Sequence, residues 1–86
     1  MAIDVKTAVE IAVKYMKDLP AQEAQFATLL EEVELSDDER FWFITLSYFN
    51  RDPQFTSVVA SLQRKFKKFK IDAANGRVMA MTMVRD

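Results

Sequence analysis

The sequence predicts an α+β domain, in which an N-terminal helix packs across a four-stranded antiparallel meander sheet. Apolar side chains recur with a helical period near the N-terminus, whereas later segments alternate apolar and polar side chains as half-buried strands do. Asn75-Gly76 contains the only glycine of the chain. This dipeptide favours a tight primed hairpin turn, because both of its residues tolerate positive φ.

The N-terminal helix is predicted over residues 5–19. A rotation of about 100° per residue gathers the apolar side chains into one arc and leaves the charged ones on the other side. Asp4 is a suitable N-cap, and Ile3 precedes it as half of a hydrophobic staple. Pro20 disfavours helical geometry at Leu19, so the helix is expected to end there. Because the apolar arc is wider than about 100°, the flanks of the helix are expected to be covered.

Four strands are predicted after the helix. Residues 21–27 are compatible with a short helix or with a loop pinned by Phe26. The strands are predicted over residues 29–35, 41–49, 64–73 and 77–84. Residues 36–40 form a polar turn, and residues 50–53 break the strand pattern. A short helix or an irregular connection is predicted over 53–62.

Strand alternation sorts the large apolar side chains onto two faces of the sheet. The helix is expected to cover Trp42, Ile44, Leu46, Tyr48, Phe69, Ile71, Met79, Met81 and Met83. The other face is expected to carry Phe41, Phe43, Phe49, Phe66, Val78 and Val84. So large an apolar surface indicates an interface if it is exposed. Residues 53–62 could fold over it, the protein could dimerise through it, or it could hold a partner protein or an apolar ligand.

The acidic side chains cluster around the first hairpin, at Glu31, Glu32, Glu34, Asp37, Asp38 and Glu39. Several carboxylates suit a hard cation such as Ca²⁺, but their spacing does not fit the EF-hand loop. The alternative is a solvated hairpin that keeps a sheet edge soluble, which we favour. No metal site is therefore expected.

The basic side chains cluster on the third strand, at Arg64, Lys65, Lys67, Lys68 and Lys70, with Phe66 and Phe69 interleaved. Basic and aromatic side chains together can hold phosphates and stack bases. In a strand, however, Phe66 and Phe69 point to opposite faces and cannot form one stacking platform. The net charge of −1 also lacks the basic surplus that is typical of nucleic-acid-binding domains.

The residue types that carry most catalysis are missing, since the chain has no histidine and no cysteine. Ser61 and Lys65 have a spacing that could pair a nucleophile with a base, but such spacings are common. Asp72 is expected to bond the amides of the hairpin turn. We therefore expect a protein that is not an enzyme and has no cofactor.

No apolar run approaches the about 20 residues that span a bilayer, and the N-terminus lacks the pattern of a secretory signal. A single domain over residues 1–86 is expected in the cytoplasm, with no membrane association.

Residues 67–78 match the pattern aromatic-x-hydrophobic-Asp-Ala-x-x-Gly-x-Val. Together with segments 8–16, 32–36 and 41–48, they resemble the PepSY domain, and more closely the small stand-alone PepSY-like bacterial proteins of unknown function. The resemblance implies a helix followed by strands that end in this hairpin. It also implies, from the secreted members, inhibition or regulation of peptidases. The motif contributes turn and core positions and carries no catalytic residue.

These observations predict a non-catalytic, small protein-binding or regulatory module. The candidate partner-binding residues are Phe41, Phe43, Phe49, Phe66, Lys65, Lys67 and Lys68. The partner is expected to be another protein or a second copy of the chain. The alternatives are an immunity-type or antitoxin-type inhibitor that uses its charged surface, and a nucleic-acid binder through the basic strand 64–70.

Overall fold

The computed structural model of this protein describes residues 2–18, 24–51 and 64–84. They form helix α1 (Val5–Asp18) and strands β1 (Ala24–Leu35), β2 (Phe41–Arg51), β3 (Arg64–Asp72) and β4 (Val78–Val84). The strands lie in the order β1-β2-β3-β4, and each is antiparallel to its neighbours. The predicted fold, an N-terminal helix on a four-stranded meander, is confirmed.

The first hairpin is longer than predicted at its open end. Ala24 pairs with Arg51 and Phe26 pairs with Phe49, so residues 24–27 belong to a strand. The expectation of a short helix or loop there is wrong, and so is the predicted break at Asn50 and Arg51. Pairing with a long neighbouring strand overrides weak local preference. The predicted connection over 53–62, which includes Ser61, lies outside the described residues.

Helix α1 packs on β2 and β3 through a narrow stripe of its surface. Ala8, Ala12 and Met16 are buried in this stripe. They meet a core formed by Ile44, Leu46, Tyr48, Phe69 and Ile71. The prediction that both flanks of the helix are covered is wrong for Val5 and Tyr15, whose side chains are exposed. Val9, Ile11 and Val13 beside this stripe are partly buried against the same core, so the predicted cover is present for part of the apolar arc.

A β-bulge changes the face on which Val78 lies. Lys70 pairs with Ala80 but Ile71 pairs with Val78, so Met79 is an extra residue in β4. The extra residue reverses the alternation beyond it, and Val78 packs against the core on the α1 side. Its predicted place on the other face is therefore wrong. Met81 also packs against the core, whereas Met79 and Met83 are exposed.

The second hairpin has a wider turn than the tight primed turn that Asn75-Gly76 predicts. A type I′ turn needs positive φ at both of its central residues. Gly76 has a φ of 77°, but Asn75 does not have a positive φ, so the turn is not type I′. Asp72 N–H donates to Arg77 O at 2.8 Å, which leaves a four-residue loop. The expected role of Asp72 is confirmed, because its carboxylate accepts a hydrogen bond from Ala74 N–H at 2.8 Å.

Candidate functional site

The sheet face that points away from α1, here called the open face, carries the predicted aromatic cluster. Phe41, Phe43 and Phe49 alternate along β2 with the core residues that meet the helix, and Phe66 of β3 pairs with Ser47 on the same face. All four phenylalanines are half-buried. Among the helix and strands that the structure describes, none covers this face.

Each of the three rings of β2 on the open face has a cation of β3 above it. The cation lies 4.2 Å from the ring centroid for Lys70 over Phe41, 5.2 Å for Lys68 over Phe43 and 4.3 Å for Arg64 over Phe49. Arg40 also approaches the ring of Phe41, at 5.6 Å. Such contacts are worth about 0.5–1 kcal/mol at exposed sites, so they orient the cations more than they stabilise the fold.

Two hydrogen bonds that share the Ser47 hydroxyl, here called the polar relay, cross the open face from β1 to β3. The Ser47 hydroxyl donates to Glu31 Oε1 at 2.7 Å and accepts from Arg64 Nη1 at 2.7 Å. Ser47 itself is fully buried, with an exposed fraction of 0%. A hydroxyl that no substrate can reach does not act as a nucleophile. The relay instead links three strands and holds Arg64 in place over Phe49.

Glutamates form the β1 border of the open face. Glu32 pairs with Thr45 and Glu34 pairs with Phe43, which places these two side chains on the same face as the phenylalanines. Glu31 occupies a register shift between Leu30 and Glu32 and reaches Ser47. The open face is therefore acidic along β1, aromatic along β2 and basic along β3.

The seven candidate partner-binding residues do not form one surface. Lys68 joins the four phenylalanines on the open face. Lys65 and Lys67 pair with Tyr48 and Leu46, so they lie on the α1 side, and Lys67 Nζ is 5.3 Å from the Tyr48 ring. Neighbouring residues of a strand point to opposite faces, which divides the basic cluster into two. Phe66 and Phe69 are separated in the same way, as predicted, with Phe69 in the core.

The sequence pattern does not reveal the pairing of Glu31, Ser47 and Arg64. In the sequence, Glu31 belongs to an acidic cluster, Arg64 belongs to a basic cluster, and Ser47 is one residue of an alternating strand. Their pairing depends on the register shifts of β1, which alternation does not show. The sequence likewise does not indicate Arg40 and Lys70 as the cations above Phe41. Lys70 is the diagonal neighbour of Phe41 on the adjacent strand, and this relation follows only from the register.

The α1 side offers less chemistry. A groove of about 360 Å³ runs along α1 and is lined by Val9, Glu10, Val13, Lys14, Lys17 and Asp18. Within residues 2–18, 24–51 and 64–84, no three acidic side chains are placed to hold a metal ion. In the same ranges, no helix combines the length and the apolar character needed to cross a membrane.

Comparisons of this chain with protein-family models, with curated proteins and with solved structures find no match.

Proposed function

We propose that this chain is a small, non-catalytic module that binds a protein partner through the open face. The observation that carries the proposal is the row of three aromatic rings on β2, each beneath a cation of β3. Aromatic residues, phenylalanine among them, and arginine are enriched at protein interfaces relative to the rest of the surface. The cations keep this apolar row soluble while the partner is absent.

The charges on either side of the aromatic row define the chemistry of the partner. A complementary partner is a protein surface with an apolar centre, carboxylates that meet Lys68 and Lys70, and cations that meet Glu32 and Glu34. With a net charge of −1, the chain has little overall attraction for charged molecules. The two borders would instead orient the partner across the strands.

The PepSY-like resemblance supports a regulatory role, with the partner being an enzyme such as a peptidase whose activity is restrained. The hairpin that carries the resemblance has its glycine at positive φ and its aspartate bonded to the turn. An immunity-type or antitoxin-type inhibitor would use the same charged borders, and a toxin-like gene beside this one would favour that alternative. We propose a cytoplasmic location for either role.

The test uses two double variants that carry the same charge change on the same strand. Lys68→Glu with Lys70→Glu alters the open face, whereas Lys65→Glu with Lys67→Glu alters the α1 side. Tagged wild-type protein and both variants are incubated with an extract of the source cell, and the retained proteins are quantified. We expect a partner retained by the wild type and by the α1-side variant to be lost from the open-face variant.

Circular dichroism must first show that both double variants are folded. Equal retention by both variants, or loss from the α1-side variant alone, would contradict the proposal. So would the absence of any specifically retained protein.

A nucleic-acid binder is the second candidate, because aromatic rings and cations do share one face. Two observations weigh against it: the cations already lie above the ring faces, and Glu32 and Glu34 would repel phosphates on the same face. Fluorescence anisotropy of a labelled single-stranded oligonucleotide at low salt distinguishes the two. We expect no binding; salt-sensitive binding that only the open-face variant loses would favour nucleic acid.

A further inference from the structure

Strand β4 forms one edge of the described sheet, and its seven residues include no charged side chain. Met79, Met83 and Val84 of this strand are exposed. Soluble monomers usually protect an edge strand with lysine, proline or a bulge, because its free backbone groups can pair with another chain. Here the bulge at Met79 lies near the start of β4 and leaves residues 80–84 regularly paired to β3.

The sequence of β4 is complementary to itself. It reads Val-Met-Ala-Met-Thr-Met-Val, which is almost the same in both directions about Met81. If two copies pair antiparallel with Met81 at the centre, Ala80 lies opposite Thr82 and Met79 lies opposite Met83 of the second copy. Val78 and Val84 do not pair, because the bulge places them on different faces of the sheet. A two-fold interface requires this kind of self-complementarity, since the same patch is used twice.

The opposite edge of the sheet is less suited to pairing with a copy of itself. Strand β1 carries Glu31, Glu32 and Glu34, and antiparallel self-pairing there would bring like charges together. Its two register shifts also interrupt the regular ladder. Pairing β1 with β4 of another copy would be head-to-tail and would extend into an open filament.

We propose that two copies of this chain associate through β4, antiparallel and around a two-fold axis at Met81, to form one continuous eight-stranded sheet. Both α1 helices then lie on one side of the sheet and both open faces on the other. The methionines of the two β4 strands line the seam on the helix side. Two open faces held side by side would let the dimer engage a repeated or dimeric partner with higher avidity.

Light scattering on a size-exclusion column tests the association. The wild-type protein is expected at twice the chain mass of 10.0 kDa. Met83→Lys places a charge on the β4 edge, whereas Leu30→Lys places the same charge on the β1 edge. The two side chains are matched, since both lie on the α1 side of an edge strand and are 50% and 49% exposed. We expect a monomer for Met83→Lys and a dimer for Leu30→Lys.

Met83 pairs with Lys67, so Met83→Glu is a second variant that can form an ion pair within the same chain and remain folded. It is also expected to be a monomer, with the circular dichroism spectrum of the wild type. A monomeric wild type would overturn the proposal, and so would a dimer that persists in both Met83 variants.

Cysteine cross-linking tests the position of the axis, because the chain has no cysteine of its own. Directly opposed residues of an antiparallel pair lie about 4.5–5.5 Å apart at Cα, within disulfide range. Met81→Cys is therefore expected to form a disulfide-linked dimer under oxidising conditions. Cross-linking through Leu30→Cys rather than Met81→Cys would place the contact on β1 and overturn the proposal.

The dimer and the partner-binding proposal fail separately. If the wild-type protein is a monomer and Lys68→Glu with Lys70→Glu still abolishes binding of the partner, only the β4 contact is refuted. If the wild-type protein is a dimer and both double variants retain the partner equally, only the binding role of the open face is refuted.

Discussion

Glu39 shows how a single residue can oppose the conformation that it occupies. It lies in the β1–β2 turn with a φ of 59°, a region that side chains other than glycine, asparagine and aspartate rarely adopt. Hydrogen bonds hold the turn around it: Glu39 N–H donates to Ser36 O at 2.8 Å, and the Ser36 hydroxyl donates to Asp38 at 2.6 Å. These hydrogen bonds therefore hold Glu39 in a backbone conformation that its side chain disfavours.

We expect Glu39→Gly to stabilise the protein by about 0.5–1 kcal/mol. Removing the side chain relieves a left-handed penalty of about 1–2 kcal/mol, while the added chain freedom of glycine takes back about 0.5–1 kcal/mol. Urea denaturation measures the change. Asp37→Gly, in the same turn but without positive φ, is the control and is expected to destabilise. A Glu39→Gly variant no more stable than the wild type would show that the turn is not strained.

The start of α1 shows how a helix depends on one charged cap. Thr7 N–H donates to Asp4 Oδ1 at 2.8 Å, as the predicted N-cap requires. This backbone hydrogen bond, together with one from the Thr7 hydroxyl and the nearby charge of Lys6, lowers the pKa of Asp4 below its usual 3.8. The favourable interaction belongs to the ionised carboxylate at the positive end of the helix dipole.

We expect the contribution of Asp4 to depend on pH in a definite direction. Because the pKa is lower in the folded state, the stabilisation is fully present above pH 3.8 and is lost as the pH falls through the folded pKa. Asp4→Ala should therefore lower the melting temperature at pH 7, and the difference from wild type should shrink below pH 3.8. The lowered pKa of Asp38, caused first by the Ser36 hydroxyl and then by Arg40 N–H, cancels in this comparison.

Asp4→Asn is the control for this prediction, because asparagine caps a helix nearly as well but does not titrate. Its melting temperature should depend less on pH than that of the wild type. A constant difference between wild type and Asp4→Ala from pH 7 to acid would show that the ionised cap contributes nothing.

Hydrogen bonds join the residues that precede α1 to both hairpin turns at one end of the sheet. Ile3 N–H donates to Ala73 O at 2.6 Å, and Ala73 N–H donates to Arg40 O at 2.8 Å. The indole of Trp42 donates to Ile3 O at 3.2 Å. The β3–β4 turn is thereby held against α1, where a Cβ added to Gly76 would lie 2.8 Å from Ile11 Cδ1.

We expect Gly76→Ala to destabilise the protein by at least about 1–2 kcal/mol, since the φ of 77° is unfavourable for alanine and its Cβ would press on Ile11. Ile11→Val removes the contacting methyl group and is expected to lower the cost of Gly76→Ala. Denaturation of the two single variants and the double variant measures this coupling. Strictly additive losses would show that only the backbone conformation of Gly76 matters, and not its approach to α1.

Most of the fold could be predicted because the helix and the strands follow from local patterns of apolar and polar residues. The helical period, the N-cap at Asp4 and the alternation of Phe41 to Phe49 depend on nearby residues alone. The candidate site was predicted in part: its phenylalanines share one face, but Lys65 and Lys67 lie on the other. Cross-strand groups such as Arg64 and Ser47 could not be paired from the sequence, since their meeting depends on register.

For this chain, amino-acid order sufficed to set the helix, the alternating strands and the opposite orientation of Phe66 and Phe69, because each follows from backbone geometry within one segment. Packing in three dimensions decided the face of Val78, the strand at residues 24–27 and the cations above the rings. An extra residue in one strand shifts every pairing beyond it, and only the neighbouring strand determines where that residue is accommodated.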